Sequence, residues 1–212
     1  MGKFFSYDGG LIRILNKLVD CVFLSVLFLL FSLPIITFGA SSTALYYTAN
    51  KVIRRDRSHV WREFWGAFKA NFKQSTIVWL ILMVLYWILV ANCLLMRQWS
   101  QTALLVFYAI FIVLITVWAL YMFPHIARFE NKITAMMKNC AFMSIRHLVN
   151  SLVLLVLFAL AIVVLLMWPI LILVIPALHA VLQTLIFEPL FRKYMSDEDL
   201  EAEDERNCDY YN

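Results

Sequence analysis

Residues 148–187 read LVNSLVLLVLFALAIVVLLMWPILILVIPALHAVLQTLIF, forty consecutive positions without Asp, Glu, Lys or Arg. A bilayer core about 30 Å thick takes roughly 20 helical residues at 1.5 Å each, so this stretch is long enough for two crossings. Trp168-Pro169 stands where the first crossing should end. Proline, with its fixed φ and missing N–H, suits a turn or the first position of a helix. The stretch therefore predicts a hairpin of two membrane helices, 148–167 and 170 to about 190. Three more charge-free intervals lie at 21–50, 74–96 and 98–127. Only a short polar connection, 97–101, parts the last two, which predicts a second hairpin, 75–96 with 102–123.

The rest of the chain agrees. Of its 212 residues 63% are hydrophobic and 15% charged, with a mean hydropathy of +0.80, against the roughly 45–50% apolar usage of soluble domains. That excludes a soluble enzyme, a disordered chain and a secreted disulfide scaffold. The expected fold class is all-α, a polytopic transmembrane helical bundle with five or six membrane-entering helices plus amphipathic cytoplasmic helices. The expected division is an integral membrane helical domain, 1–195, and an acidic, disordered cytoplasmic tail, 196–212. From Asp197 onward eight acids face one base, Arg206, and such runs stay solvated.

The interval 21–50 is the ambiguous one, because Pro34 and Gly39 break a run too short for two full crossings. With Leu11, Ile14, Leu15 and Leu18 recruited, a helix runs from 11 to 33. Residues 41–55 hold no breaker and can return through the membrane as a polar, protein-shielded helix, or form a re-entrant element. Five crossings put the N-terminus outside; six keep both termini inside. Lys and Arg fall three before Asp20, seven over 51–73, one at Arg97, four over 128–146 and three after Glu188. Retention of Lys and Arg in the cytoplasm is met 14 to 4 by five crossings and 17 to 1 by six, which favours six. In either arrangement the loops 51–73 and 125–147 and the C-terminus are cytoplasmic. A cleavable signal peptide is the weaker explanation of this interval, since Asp8 and Asp20 interrupt the preceding region and Phe38 suits the minus-three position poorly.

Trp61, Phe64, Trp65, Phe68 and Phe72 follow the spacing of one helical face. Arg62, Glu63, Lys69 and Asn71 oppose them, with Arg54, Arg55 and Arg57 just ahead. A basic helix with an aromatic face either lies in the membrane interface, binds a partner, or packs on the protein's own cytoplasmic side. Ile126, Phe129, Ile133, Met137, Cys140 and Ser144 repeat the pattern, opposed by Lys132, Lys138 and Asn139, and form a docking face or a packing face. Nucleic acid is not an expected partner, because the basic loop lies within a few residues of a span on either side.

Chemistry leaves little trace. Cys21, Cys93, Cys140 and Cys208 form no CxxC or zinc pattern, and His59, His125, His147 and His179 form no HxxxH or HExxH. There is no phosphate-binding, dinucleotide or nucleophile-elbow motif. No catalytic residue, metal site or cofactor is expected, and the chain is read as non-enzymatic. Asp20 has Lys17 three residues away as a helical partner. His179 is the one ionisable group at depth, a packing histidine or a proton carrier. Pro34, Thr37, Gly39, Ser41, Thr43, Tyr46 and Asn50 mark a helix break. They line a polar pocket, as discontinuous helices do in transporters, or form a capped turn.

The string LPIITFGA at 33–40, Ala44-Leu45-Tyr46, FWGAFKANFKQ at 64–74, FPHIARF at 123–129 and Lys138-Asn139 together resemble the YesL-like family, small integral membrane proteins of Gram-positive bacteria classed as a domain of unknown function. His125 departs from the aliphatic residue expected there. The resemblance implies a bacterial plasma-membrane protein encoded beside carbohydrate-uptake ABC transporters, sensor kinases and polysaccharide-degrading enzymes, with no catalytic residues to carry over. The expected role is therefore an accessory or regulatory partner of an oligosaccharide uptake system. Its partners would be the lipid bilayer and ABC transporter permease subunits or a sensor kinase. The alternative is a small transporter or channel acting on its own.

Overall fold

The computed structural model describes residues 10–55, 59–99, 101–195, 197, 198, 200 and 201. These residues are all-helical. Helix α1 spans Gly10–Ser32. Pro34 cannot continue it, and the chain turns through a 3-10 segment, Ile35–Thr37. The Thr37 hydroxyl holds that turn, within reach of the Phe31 carbonyl (2.6 Å) and the Pro34 carbonyl (2.8 Å). α2, Phe38–Thr48, continues as a π-helical segment, Ala49–Arg54. α3 (Val60–Gln98) and α4 (Thr102–Arg128) form one hairpin; α5 (Ile133–Arg146) leads to α6 (Leu148–Met167), a 3-10 turn (Pro169–Leu173) and α7 (Ile175–Arg192).

The hairpin foreseen from 75–96 and 102–123 is present. In the other, α6 matches 148–167, but a 3-10 turn delays the second arm to Ile175, and that arm, α7, is not among the helices long and apolar enough to cross a bilayer. Tyr86 bonds Thr116 at 2.8 Å and Trp79 stacks obliquely on Phe123, so α3 and α4 are antiparallel. The basic aromatic segment from 60 to 73 is not a separate surface helix, however. It is the first half of α3, a single helix of 39 residues and about 58 Å at 1.5 Å per residue.

α2 carries the residues expected to return as a polar, protein-shielded helix or a re-entrant element, and most of it is buried. Gly39 abuts Ser75 and Trp79, Thr43 bonds the Ser75 hydroxyl at 2.8 Å, and Lys51 pairs with Glu63 at 2.8 Å. α2 thus runs antiparallel to the charged first half of α3, away from its apolar second half. Small residues permit this approach, for Gly39, Ala40, Ser41, Thr43 and Ala44 are all buried. Small side chains bring helix backbones close where packing rather than water drives association.

Helix directions follow from contacts. The Ser25 hydroxyl accepts the Ala177 N–H at 3.1 Å near the start of α7. Six residues later Phe31 lies among Phe64, Trp65 and Phe68, with ring centroids 5.1–5.6 Å away. Phe31 reaches those rings from the turn after α1, which lies against the middle of α3, where Trp79 donates to the Ile35 carbonyl at 2.6 Å and Gly39 abuts Ser75. α1 also touches the π-helical segment at the far end of α2, so α1 and α2 are antiparallel and α1 and α7 run in opposite directions. The end where α3 begins and α4 and α7 finish carries most of the basic residues and is called the basic end below. Gly10 lies toward it.

Two cores hold the bundle. One joins Leu24 and Leu27 of α1, Ala44 and Ala49, Phe64 and Phe68, and Ala177 and Ala180. The other joins Tyr46, Val78, Leu82, Tyr121, Met122, Met136, Cys140, Leu154, Phe187 and Phe191. Outside them α4 exposes Val106, Phe107, Ile110 and Leu114, and α6 exposes Leu152, Val156, Leu160 and Val163. Apolar outer faces on helices this long have lipid as their natural solvent. Four helices (α1 from Ile14, α3, α4 and α6) are long and apolar enough to cross a bilayer, which is compatible with a multi-pass membrane protein. Of the expected acidic tail, Asp197, Glu198, Leu200 and Glu201 carry helical backbone; the rest lies outside the described residues, as does Arg57.

Candidate functional site

At the basic end, α7 places Glu188 almost fully inside the protein, 2% exposed. A buried carboxylate is costly unless its lone pairs are met by donors and its charge by a cation. Four side chains from three other segments do both. Tyr46 and Asn50 donate to Oε1 at 3.2 and 2.9 Å, and Arg55 donates to Oε2 at 3.1 Å. Arg128 stands 3.7 Å from the same Oε2, an ion pair by distance though too long for a good hydrogen bond. Arg54 in turn reaches the Asn50 side-chain oxygen at 3.3 Å. Burial, then the neighbouring Glu188 carboxylate, hold the Tyr46 phenol well above its ordinary pKa, so it stays a donor.

The π-helical turn carries Asn50 and Arg54 into this arrangement and ends just before Arg55. Such turns are rare and occur frequently at functional sites. Beside the cluster is a polar cavity of ≈ 470 Å³ lined by Tyr46, Tyr47, Asn50, Arg128, Glu130, Asn131 and Glu188. Its size falls within the roughly 300–1,000 Å³ of small-molecule sites. Both charge signs and two side-chain amides line it, a surface suited to a polar or zwitterionic group.

The residues expected to line a polar pocket at the helix break do not act together. Tyr46 and Asn50 reach the Glu188 cluster. Pro34 and Thr37 make the turn, and Gly39 is a packing contact. Thr43 shares hydrogen bonds with Ser75 and the Gly39 carbonyl. Ser41 is buried with its hydroxyl on no partner among the described residues.

The aromatic stripe also divides. Phe64 and Phe68 are buried around Phe31, Trp65 is half-buried with Lys69 over its ring at 4.7 Å, and Trp61 and Phe72 face outward. Arg54 and Arg55 serve the cluster. On the second loop Cys140, Ser144 and Ile126 are buried, and burial pushes the Cys140 thiol up to about 12. That face packs on α4, where Trp118 donates to the Met137 carbonyl at 3.0 Å. The opposite face of α5 instead leaves Phe142 and Ile145 exposed beside Arg146.

Sequence reasoning missed Glu188 and Arg128, which stand at the edges of charge-free intervals. Glu188 has Arg192 four residues on, an ordinary helical pair, so nothing in the spacing marks it. Among the described residues no group of three or more His, Cys, Asp or Glu is placed to hold a metal. His147 Nε2 and the Tyr194 hydroxyl meet at 2.8 Å, an exposed contact that ties the start of α6 to the turn after α7.

A family model described as a protein of unknown function, DUF624, matches residues 21–93. The similarity thus runs from the middle of α1, through α2 with Tyr46, Asn50 and Arg55, to near the end of α3. No curated protein and no solved structure matches the chain.

Proposed function

We propose that this chain is a non-enzymatic, multi-pass protein of the bacterial plasma membrane, of the YesL-like kind, that serves as an accessory or regulatory partner of an oligosaccharide uptake system. The observation that carries the reading is where its polar groups go. Ser42 and Thr43 of α2 are spent on internal bonds, and Tyr46 turns to the Glu188 pocket at the basic end, beside outward-facing Trp61, Phe72, Phe142 and Ile145. A pocket and an aromatic surface at one end suit a protein that binds on that side more than one that conducts a solute across. The DUF624 similarity is consistent with this kinship and brings no activity of its own.

The topology we favour has six membrane-entering helices, α1, α2, α3, α4, α6 and α7, with α2 a short, protein-shielded return between α1 and α3. The antiparallel pairing of α1 with α2, and the opposite course of α1 and α7, support it. Both termini and the basic end then lie in the cytoplasm, the 17-to-1 arrangement of Lys and Arg. Single cysteines placed near residue 10 and near residue 130 should both be shielded from a membrane-impermeant maleimide in intact cells and both label after lysis. Labelling of residue 10 in intact cells would refute this topology.

The accessory role is tested by affinity purification from native cells in mild detergent, with Trp61→Ala and Phe142→Ala as variants at exposed positions. Permease subunits or a sensor kinase should accompany the wild type and be lost from the variants. Recovery of this chain alone would refute it. The rival, an autonomous transporter, has one observation in favour: Tyr46 lines both the polar cavity and an apolar cavity in the middle of the bundle. Solute flux in proteoliposomes holding only this protein would establish it.

A further inference from the structure

The apolar cavity, ≈ 550 Å³, lies where six helices meet. Its wall is built largely of aromatic and aliphatic side chains, among them Phe28 of α1, Trp79 of α3, Phe123 of α4 and Phe158 of α6, and no Asp, Glu, Lys or Arg lines it. A charged ligand would therefore find no counter-ion. One fully buried polar atom on the wall is left without a partner among the described residues, and the Gln183 amide also lines the cavity. His179 lines the cavity, its ring 6.0 Å from that of Phe158, and its Nε2 is buried without a hydrogen-bond partner. A buried ring nitrogen with no partner is costly, and in an apolar cavity water is a poor remedy.

We infer that this cavity is a binding site for one uncharged lipid carrying a hydroxyl group, its chain among the aromatic side chains and its oxygen on His179 Nε2. The hydroxyl follows from the imidazole. Nε2 donates or accepts according to tautomer, and a hydroxyl is the simple group that answers either. The bilayer is the source of the lipid. Of the 20 residues of α6 only Ser151 and Leu154 are buried, so the rest of the helix is at least partly open, and Ala161, Ile162 and Leu165 border the cavity there. That leaves lateral access for a chain. The inference is independent of the accessory role.

The test uses the full chain in lipid nanodiscs and three diazirine-bearing probes of one chain length: an alcohol, its carboxylic acid and its hydrocarbon. The alcohol should label peptides of α6 and α7 saturably, with competition by unlabelled alcohol. His179→Phe, which keeps a ring of similar size, should lower alcohol labelling about fivefold, the worth of one hydrogen bond. Ala161→Phe should fill the cavity and abolish it. Thermal unfolding reports whether each variant is folded, and saturable competition in the wild type carries the test if one is not. Labelling that never saturates and spreads over the exposed faces of α4 and α6 would overturn the site. Equal labelling by acid or hydrocarbon, or an unchanged His179→Phe, would overturn the hydroxyl.

Discussion

Two glycines in helices offer an internally controlled test of the α2–α3 packing. A Cβ built on Gly39 would lie 2.5 Å from the Ser75 carbonyl oxygen and 2.6 Å from Trp79 Cβ, whereas one built on Gly66 meets nothing within 4 Å. In both places alanine gains about 0.8–1 kcal/mol of helix propensity. At Gly66 that gain should stand. At Gly39 it is opposed by overlap of nearly an ångström with the backbone of a continuous 39-residue helix, which cannot yield locally. Overpacking typically costs about 1–3 kcal/mol, and contact with backbone places this site at the upper end, so a net loss of about 1–2 kcal/mol is expected. The same chemical change should then separate the two variants by about 2–3 kcal/mol. At about 2–4 °C per kcal/mol for a chain of this size, Gly39→Ala should unfold several degrees below the wild type and Gly66→Ala slightly above it. The assay is circular dichroism on both proteins in one detergent, heated side by side. A Gly39→Ala protein as stable as Gly66→Ala would refute the close approach, and with it the placement of α2.

Three further outcomes are expected. Glu188→Ala removes the carboxylate that Arg55 and Arg128 share; because both are about a fifth exposed (22% and 20%) and can be partly rehydrated, the loss should be about 2–3 kcal/mol, below the 3–5 of a fully buried pair, as measured by chemical unfolding. Thr43→Val removes one of two bonded hydroxyls and leaves Ser75 unmatched, for about 1–2 kcal/mol by the same measurement. With its thiol pushed up to about 12, Cys140 is almost wholly protonated at pH 8 and should resist maleimide there; in denaturant, where a thiol titrates near its ordinary 8.5, it should label readily as pH rises from 7 to 9, which mass spectrometry of peptides would show.

The aromatic stripe shows where one-dimensional reading stops. Its period was legible, and the helix it predicted exists. But a face with Trp61, Phe64, Trp65, Phe68 and Phe72 has the same pattern whether lipid, a partner or Phe31 covers it, and here Phe31 covers its centre. The polar residues after the helix break behaved likewise. Tyr46 and Asn50 are site candidates for their place after the helix break, while Thr37 and Thr43, equally polar and equally near it, hold a turn and a helix contact.

What the sequence by itself determined is the class and the placing of the hairpins. Burial in lipid obliges each segment to satisfy its own backbone hydrogen bonds, so helix and hydropathy are local properties, countable along the chain. The tertiary structure alone decided that α2 lies along the charged half of α3, and that Glu188 gathers Tyr46, Asn50, Arg55 and Arg128 from segments up to 142 residues away. Those outcomes turn on which helices meet and at what depth. A lone carboxylate, an arginine at a span's edge and a glycine among small residues each have an ordinary local explanation, and only their convergence in space gives them another.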